Sequence, residues 1–277
     1  MSEKRNEPEQ EGGERIRSRQ NPRIVQARKI ARDPRLARRE GVLIADGITL
    51  VREALAAGLH DRMVLVDSAD PDAEPIIADA KRRRAVVTPV SRAVLEAVST
   101  LATAQGAFGI FDRPGADLTS LLTAPDARGW PVVAILHGLQ DPTNAGSLIR
   151  TGLAAGVDGF VATEGTVDPW HARAARASMG ACFRIPIVAD APLPAVLEGL
   201  RRGRYRLIAL DPRGETALGD LRLDQPTAIV FGREGSGLDQ DTLRACNTTV
   251  RIPMAKGVES LGVAAAGAIA FYSLLMR

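Results

Sequence analysis

Short apolar runs alternate along the chain with longer stretches in which apolar residues recur at every third or fourth position. The short runs predict β-strands, and the longer stretches predict amphipathic helices. In the first half, strands are predicted at 42–46, 63–67, 85–90 and 107–112, with helices at 48–59 and 73–84. In the second half, strands are predicted at 132–138, 159–163, 183–188, 205–211, 228–232 and 250–254, with helices at 144–155, 168–180, 193–202 and 259–276.

The regular alternation in the second half predicts a mostly parallel sheet with helices on both faces. The first half has the pattern of a smaller α/β unit. We therefore expect an α/β protein with a disordered tail over 1–20, a small domain over 21–113, a linker over 114–130 and a larger domain over 131–277. The last predicted helix is apolar on nearly every side, so we expect it to be buried on two sides, partly against another subunit.

The composition, with 45% hydrophobic and 25% charged residues, is typical of a globular protein. No apolar stretch reaches the roughly 18 residues of a membrane span, and no apolar secretory signal begins the chain, so we expect a cytoplasmic protein without membrane contact. The cysteines, Cys182 and Cys246, and the histidines, His60, His137 and His171, lack the spacing of metal ligands. We therefore expect neither a metal site nor a disulfide framework.

Positive charge is concentrated near the N-terminus. The segment from Arg15 to Glu40 contains ten basic and two acidic side chains. This density favours a polyanion such as nucleic acid as a partner, and a solvated helix face is the alternative interpretation. The predicted phosphate contacts are Arg28, Lys29, Arg32, Arg35, Arg38 and Arg39. Contacts of this kind position RNA without identifying a nucleotide.

Several common enzyme classes lack their motifs in this chain. Lys256 precedes Gly257, so the phosphate-binding P-loop pattern is absent. Ser236 has no glycine two residues before or after it, which excludes the nucleophile elbow of the α/β-hydrolases. The glycines of 232–237 read G-x-x-G-x-G after a late strand, so the fingerprint of a dinucleotide-dependent oxidoreductase is also missing.

Three loops of the larger domain follow predicted strands, where open α/β sheets bind ligands. In the first loop, Asn144 is suited to cap a helix, and Ser147 and Arg150 share a side of that helix. An arginine in this position can hold a phosphate through two parallel hydrogen bonds. The same sequence is also compatible with Asn144 as a simple helix cap and Arg150 as a surface cation. This loop alone therefore leaves both the functional and the structural interpretation open.

The second and third loops carry glycines. Residues 232–237 contain three, which permit a sharp turn and a close approach of a ligand to the backbone. The third loop starts at Ile252 and leads through Gly257 to Ser260 at the start of the terminal helix. A lone glycine-rich turn is weak evidence of function, whereas three such loops in one domain are stronger.

Taken together, the three loops resemble the motifs of the SpoU/TrmH family of RNA 2′-O-ribose methyltransferases, in the SPOUT class. The matching patterns are N-x-G-x-x-x-R at 144–150, F-G-x-E-G-x-G-L at 231–238 and I-P-M-x-x-G-V-E-S-L at 252–261. The resemblance covers 132–277. Residues 22–112 are similar to the small α/β substrate-binding domain that precedes the catalytic domain in many ribosomal-RNA members.

The resemblance implies a homodimer formed through the catalytic domain, a C-terminal trefoil knot and S-adenosylmethionine as methyl donor. The implied reaction is methylation of a ribose 2′-hydroxyl of structured RNA, with 23S ribosomal RNA as the expected substrate. The family's cofactor contacts fall on Gly232, Ile252, Leu261 and Leu210. Its catalytic and RNA-side residues fall on Asn144, Arg150, Glu234 and Ser260. Glu234 is expected to orient Asn144 or Arg150, and Arg233 has no family role.

The resemblance has one departure that bears on activity. Family members usually read S-L-N in the third motif, whereas this chain has Gly262 after Ser260 and Leu261. Either Ser260 and a water replace the missing amide, or turnover is reduced. The alternative function is therefore a catalytically weak or inactive RNA-binding protein with the same fold. Arg150 cannot accept a proton because a guanidinium stays protonated, so we expect it to grip an RNA phosphate and stabilise the developing alkoxide.

Overall fold

The structure, a computed structural model, describes residues 15–123 and 129–276. The N-terminal domain contains strands β1 (Val42–Asp46), β2 (Asp61–Asp67), β3 (Val87–Val90) and β4 (Ala107–Asp112), and helices α1 (Pro22–Arg32), α2 (Pro34–Arg39), α3 (Ile48–Ala56), α4 (Ala73–Arg82) and α5 (Arg92–Val98). The four strands form one sheet in the order β1-β4-β2-β3. Strand β4 runs antiparallel to β1 and β2, and β3 runs parallel to β2.

Helices α1 and α2 were not predicted from the sequence, although both have clear start signals. Asn21 and Asp33 each accept a hydrogen bond at 3.0 Å from the backbone N–H of the second helical residue, and each is followed by a proline at the first helical position. The inner sides, with Ile24, Ala27 and Leu36, pack into the core under the sheet. The arginines therefore lie on the outer sides of two ordered helices.

The predicted disordered tail is only partly within the described residues, since 1–14 lie outside them. At Ile16 the structure differs from the prediction. Ile16 N–H donates to the carbonyl of Pro89 at 3.0 Å, and its carbonyl accepts from Ser91 at 3.1 Å. The backbone around Ile16 thus forms a parallel bridge to Val90 and extends the edge of the N-terminal sheet.

The larger domain contains strands β5 (Val132–Leu136), β6 (Gly159–Thr163), β7 (Ile187–Ala191), β8 (Arg206–Leu210), β9 (Thr216–Ala217), β10 (Thr227–Phe231) and β11 (Thr248–Arg251). Its helices are α7 (Pro142–Ala155), α8 (Ala172–Ala177), α9 (Leu193–Arg202), α10 (Gln240–Ala245) and α11 (Val263–Leu275), and α6 (Leu118–Thr123) precedes β5. Over the described residues the strands form one sheet in the order β7-β6-β5-β10-β8-β11-β9, with every pair parallel. The predicted mostly parallel α/β fold is confirmed, and the trefoil knot stays a prediction.

Two predicted elements near the middle of the larger domain have different bounds. The helix predicted at 168–180 is limited to α8, because His171 caps it through Nδ1 and residues 168–171 form a turn. The strand predicted at 183–188 begins only at Ile187. A 3₁₀ turn occupies Ala181–Phe183, and Pro186 has no N–H to donate to a neighbouring strand.

Part of the predicted linker is helical. Helix α6 packs against α9, with Leu121 and Leu122 buried in the core on that face of the sheet. The hydroxyl of Tyr205 donates to the carbonyl of Leu122 at 3.0 Å. Residues 124–128 of the predicted linker lie outside the described residues.

Helices α7 and α11 pack on the opposite face of this sheet. Gly267 of α11 lies so close to α7 that a Cβ atom there would be 2.0 Å from Leu148 Cδ2. Phe271 of α11 makes edge-on contacts with Phe160 and Phe231, at centroid distances of 6.4 and 5.3 Å. This packing brings the loop before α11 beside the start of α7. The terminal helix, predicted from 259, begins at Val263.

Polar contacts join the two domains. Arg113 Nη2 lies 2.6 Å from the Asp168 carboxylate, its Nε donates to the carbonyl of Val42 at 2.8 Å, and its guanidinium lies over the Trp170 ring. Both charged side chains are largely buried, at 13% and 11% exposure. An ion pair joins Arg38 to Asp190, and Arg176 Nη1 donates to Thr100 Oγ1 at 3.2 Å. These contacts fix the small domain against the larger one.

Candidate active site

A cavity of 560 Å³ lies at the carboxyl ends of β8, β10 and β11, which we call the C-terminal cavity. All four predicted cofactor positions line it, namely Leu210, Gly232, Ile252 and Leu261. Asn144, Glu234 and Ser260 also line it. The three loops identified from the sequence therefore meet at one site, although they come from distant parts of the chain.

One wall of the cavity is the turn over residues 232–237, which we call the glycine turn. Arg233 and Gly237 exchange both backbone hydrogen bonds, at 3.1 and 2.9 Å. Gly235 and Gly237 have φ angles of 80° and 68°, which favour glycine. Gly232 is required for another reason, since a Cβ atom there would lie 2.5 Å from Gly237 C and 2.7 Å from Leu238 N. The turn can close only without a side chain at 232.

Glu234 connects the glycine turn to the start of α7. Its carboxylate accepts hydrogen bonds from Asn144 Nδ2 at 3.0 Å, from Gln140 N–H at 3.0 Å and from Asp141 N–H at 3.2 Å. The side chain is largely exposed, but partial burial acts to raise the pKa of Glu234. The hydrogen bonds outweigh that effect and lower the pKa, so the group is an anion at neutral pH.

Asn144 is not the helix cap that the sequence suggested. Pro142 occupies the first turn of α7, and the preceding Asp141 is the cap, with Oδ1 accepting from Thr143 N–H at 2.8 Å. The hydrogen bond from Thr143 is the main reason that the pKa of Asp141 is lowered. Because Asp141 caps the helix, the Asn144 side chain is available for Glu234.

Arg150 is the predicted site residue that the structure does not bring to the C-terminal cavity. Its side chain is exposed on α7 and is not part of the cavity wall. At about 100° per residue, Arg150 is rotated by about 120° around the helix from Asn144. Glu234 was expected to orient either Asn144 or Arg150. Within one chain it contacts Asn144 and not Arg150.

The third loop places Ser260, Leu261 and Gly262 on the cavity wall. Gly262 precedes α11 with φ of −57° and ψ of 141°, a conformation open to any residue. A Cβ atom at this position would meet nothing within 4 Å. The backbone therefore does not require glycine at 262, and the missing amide leaves open space beside Ser260.

His137 is a residue near the site for which the sequence gave no role, since it lacks the spacing of a metal ligand. It directly follows β5. Its N–H donates to the carbonyl of Phe231 at 2.9 Å, and Nδ1 lies 2.9 Å from Thr163 Oγ1. Burial is the main effect that lowers the pKa of His137, opposed by Asp239 and reinforced by Arg233. The ring is therefore neutral at pH 7. The prediction placed it inside the strand at 132–138, and its place near the carboxyl end of that strand was the available signal.

The predicted RNA contacts all lie on α1 and α2. Arg28 is half-buried, and Lys29, Arg32, Arg35, Arg38 and Arg39 are exposed. Arg38 is also engaged in the interdomain ion pair with Asp190. Within the described residues, no group of His, Cys, Asp and Glu side chains could hold a metal ion. Over the same part of the chain, no helix has both the length and the apolar character to cross a membrane.

Solved structures with the same fold extend over both domains of this chain. The crystal structure of an AdoMet-bound rRNA methyltransferase from Sinorhizobium meliloti superimposes with a TM-score of 0.82 at 26% identity, covering 94% of this chain and 96% of that one. The crystal structure of an RNA 2′-O ribose methyltransferase gives a TM-score of 0.78 at 27% identity, covering 94% and 97%.

Sequence comparison covers both domains. An uncharacterised tRNA/rRNA methyltransferase of Synechocystis sp. is 30% identical over 257 residues, 93% of this chain and 92% of the relative. A putative TrmH family tRNA/rRNA methyltransferase of Staphylococcus haemolyticus is 27% identical over 238 residues, 85% and 96% of the two chains. Residues 21–109 match the MRM3-like substrate binding domain, and residues 131–272 match the SpoU rRNA Methylase family. The chain belongs to the SpoU rRNA methylase family, as its three loop motifs indicated.

Proposed function

We propose that this protein transfers a methyl group from S-adenosylmethionine to a ribose 2′-hydroxyl of structured RNA in the cytoplasm, with 23S ribosomal RNA as substrate. The observation that carries the proposal is the C-terminal cavity, which gathers the predicted cofactor positions together with Asn144, Glu234 and Ser260. The RNA 2′-O ribose methyltransferase among the structural neighbours supports the choice of ribose as acceptor.

The cavity has the features of a site for S-adenosylmethionine. Leu210, Ile252 and Leu261 give it apolar walls suited to a flat adenine ring, and Gly232 lets loop backbone approach a ligand. The AdoMet-bound structural neighbour supports this assignment. When bound, S-adenosylmethionine supplies an electrophilic methyl group on a sulfonium. The protein must then position the acceptor oxygen and help it lose a proton.

Asn144 is the residue best placed to position the acceptor. An ionised carboxylate only accepts hydrogen bonds, so Glu234 requires the Nδ2 side of the amide and turns Oδ1 away from itself. We infer that Asn144 Oδ1 accepts a hydrogen bond from the ribose 2′-hydroxyl, with the Ser260 hydroxyl as a second polar contact. The released proton goes to the adjacent RNA phosphate or to water.

Arg150 has a separate role in this proposal. Its exposed position on α7 suits a contact with the RNA phosphate beside the target ribose, where it stabilises the developing alkoxide. We expect Arg150→Ala to lower the methylation rate by about 100-fold, with S-adenosylmethionine affinity unchanged. Single-turnover methylation and calorimetric titration of the donor measure the two quantities. Arg202→Ala on α9 is the matched control, and a near wild-type rate for Arg150→Ala contradicts the role.

A homodimer is part of the proposal. Ile269, Tyr272 and Met276 at the C-terminal end are 40%, 69% and 56% exposed, and their spacing of three and four residues places them on one side of the helix. Together they form an apolar surface along and just beyond α11. A second copy of the chain would cover it, in agreement with the expectation that the terminal helix is buried partly against another subunit.

The alternative function, a weak or inactive RNA-binding protein, is favoured by the open space at Gly262. A methylation assay separates the two. Purified protein is incubated with methyl-labelled S-adenosylmethionine and protein-free ribosomal RNA or transfer RNA, and digested nucleosides are identified by mass spectrometry. We expect 2′-O-methyl nucleosides in ribosomal RNA. RNA binding without label transfer supports the alternative, and label on a base or only in transfer RNA overturns the proposed substrate.

A further inference from the structure

A second cavity, of 480 Å³, lies between the domains, and we call it the interdomain cleft. The N-terminal domain contributes five residues between 30 and 37 from α1 and α2, residues 42–44 of β1, and residues 99–101. The larger domain contributes six residues between 168 and 176, three of them from α8. The cleft therefore opens beside the basic surface of α1 and α2 and is bounded on its other side by the catalytic domain.

The lining of the cleft is strongly basic. Arg32 is contributed by α1, whereas Arg173 and Arg176 are contributed by α8. The remaining charged lining residues, Arg113 and Asp168, neutralise each other in their buried ion pair. The cleft thus carries three further arginines from both domains, and of these Arg173 is paired with Asp141, which lies outside the cleft wall.

Arg176 keeps hydrogen-bonding capacity for a ligand. One of its nitrogens donates to Thr100 Oγ1, and the Thr100 hydroxyl in turn donates to the buried Asp46 carboxylate at 2.8 Å. A guanidinium has five N–H donors, so the others are free for the cleft. Among the described residues, Arg32 has no acidic partner. The apolar part of the lining includes Ile30, Ala37 and Leu101, which suit the less polar faces of a sugar or base.

The cleft is connected to the candidate active site through Arg173. Its Nη2 lies 3.4 Å from Oγ1 of Thr143, in the first turn of α7, and 3.7 Å from the carboxylate of Asp141, which caps that helix. Asp141 N–H donates to Glu234, which lines the C-terminal cavity. A row of positive side chains therefore leads from α1 and α2 through the cleft to the position of Asn144.

We propose that the interdomain cleft binds the phosphodiester backbone of the RNA substrate, with Arg32 and Arg176 contacting phosphates from opposite domains and Arg173 continuing the path toward the methyl-acceptor site. The inference rests on the proposed function, because it takes RNA as the ligand. Guanidinium groups suit phosphate through paired hydrogen bonds, and a line of such groups follows a nucleic acid backbone. Contacts of this kind position the RNA and contribute a salt-dependent part of its affinity.

The test uses a double variant of the full chain, Arg32→Gln/Arg176→Gln, which leaves the α7 contacts of Arg173 intact. The probe is protein-free ribosomal RNA, and its affinity is measured by filter binding over a series of salt concentrations. We expect the Kd to rise by about 10- to 100-fold and the slope of log K against log salt to fall by about 2. S-adenosylmethionine affinity, measured by calorimetry, stays within about twofold because the cleft is separate from the C-terminal cavity.

Two further variants make the outcome specific. Arg201→Gln/Arg202→Gln removes the same charge from α9, on the other face of the large sheet, and is expected to change RNA affinity much less. Arg32→Lys/Arg176→Lys keeps the charge but not the paired hydrogen bonds, so it is expected to recover the salt slope and part of the affinity lost in the glutamine variant. The inference is overturned if the cleft and α9 variants behave alike, or if lysine fails to restore binding. Wild-type protein that binds no RNA at all would instead defeat the proposed function.

Discussion

Gly232→Ala is expected to abolish measurable binding of S-adenosylmethionine. The new methyl group would lie 2.5 Å from the carbonyl carbon of Gly237 and 2.7 Å from Leu238 N, and both atoms belong to backbone that cannot move without opening the glycine turn. Overpacking of this kind costs about 1–3 kcal/mol of folding free energy. Because the turn is a wall of the C-terminal cavity, we expect the donor Kd to rise at least about 100-fold. Calorimetric titration measures the Kd, and thermal unfolding measures the stability.

The matched control for this prediction is Gly219→Ala. Gly219 is exposed, and a Cβ atom there would meet nothing within 4 Å. The control variant should bind the donor as the wild type does, with little change in stability. Normal donor binding by Gly232→Ala would show that the turn can rearrange and that the cavity does not depend on its present shape.

Glu234→Gln is expected to lower the rate of methyl transfer by about 100- to 1,000-fold. The substitution keeps the side-chain length, but it removes the negative charge and places an amide against the N–H groups of Gln140 and Asp141, where one carboxylate now accepts from both. Asn144 loses the partner that fixes its amide. Single-turnover rates measure the effect, and donor affinity should change much less because Glu234 acts on the acceptor side.

Glu198→Gln is the control for this charge change, since Glu198 pairs with Arg202 on α9, away from both cavities. The pH dependence provides a second readout. The pKa of Glu234 lies below its ordinary value of 4.5, so its stabilising contacts are complete above that pH and are lost as the pH falls through the lowered pKa. Wild-type protein should therefore show no titration of this group between about pH 5.5 and 8. A rate for Glu234→Gln equal to the wild type contradicts the assigned role.

Most strands of both domains were predictable because each is a short apolar run bounded by turn residues, and β1, β6 and β10 follow the pattern closely. Strand β9 was missed because its two residues, Thr216 and Ala217, form no apolar run. Helices α1 and α2 were missed because their many arginines obscured the apolar side formed by Ile24 and Ala27. Their capping residues and prolines were the better signal. The shift of β7 followed from Pro186, whose missing N–H had not been considered.

The site was predictable as a set of residues but not as a geometry. The motifs identified Asn144 and Glu234, yet their hydrogen bond joins positions 90 residues apart, and no local pattern specifies such a contact. The rotation of Arg150 away from the cavity depends on which side of α7 faces the sheet. The interdomain cleft could not be predicted from the sequence, because Arg32 and Arg176 line one cavity only after the two domains have packed together.

The close attachment of the two domains has a consequence for how a target nucleotide is chosen. The buried pairing of Arg113 with Asp168, beside Trp170, opposes independent rotation of one domain relative to the other. RNA held on the small domain would therefore present to the methyl donor only the nucleotide that lies at a set distance from the element being held. The target nucleotide is then selected by its distance from the bound RNA element within the folded RNA, and not by the identity of its base.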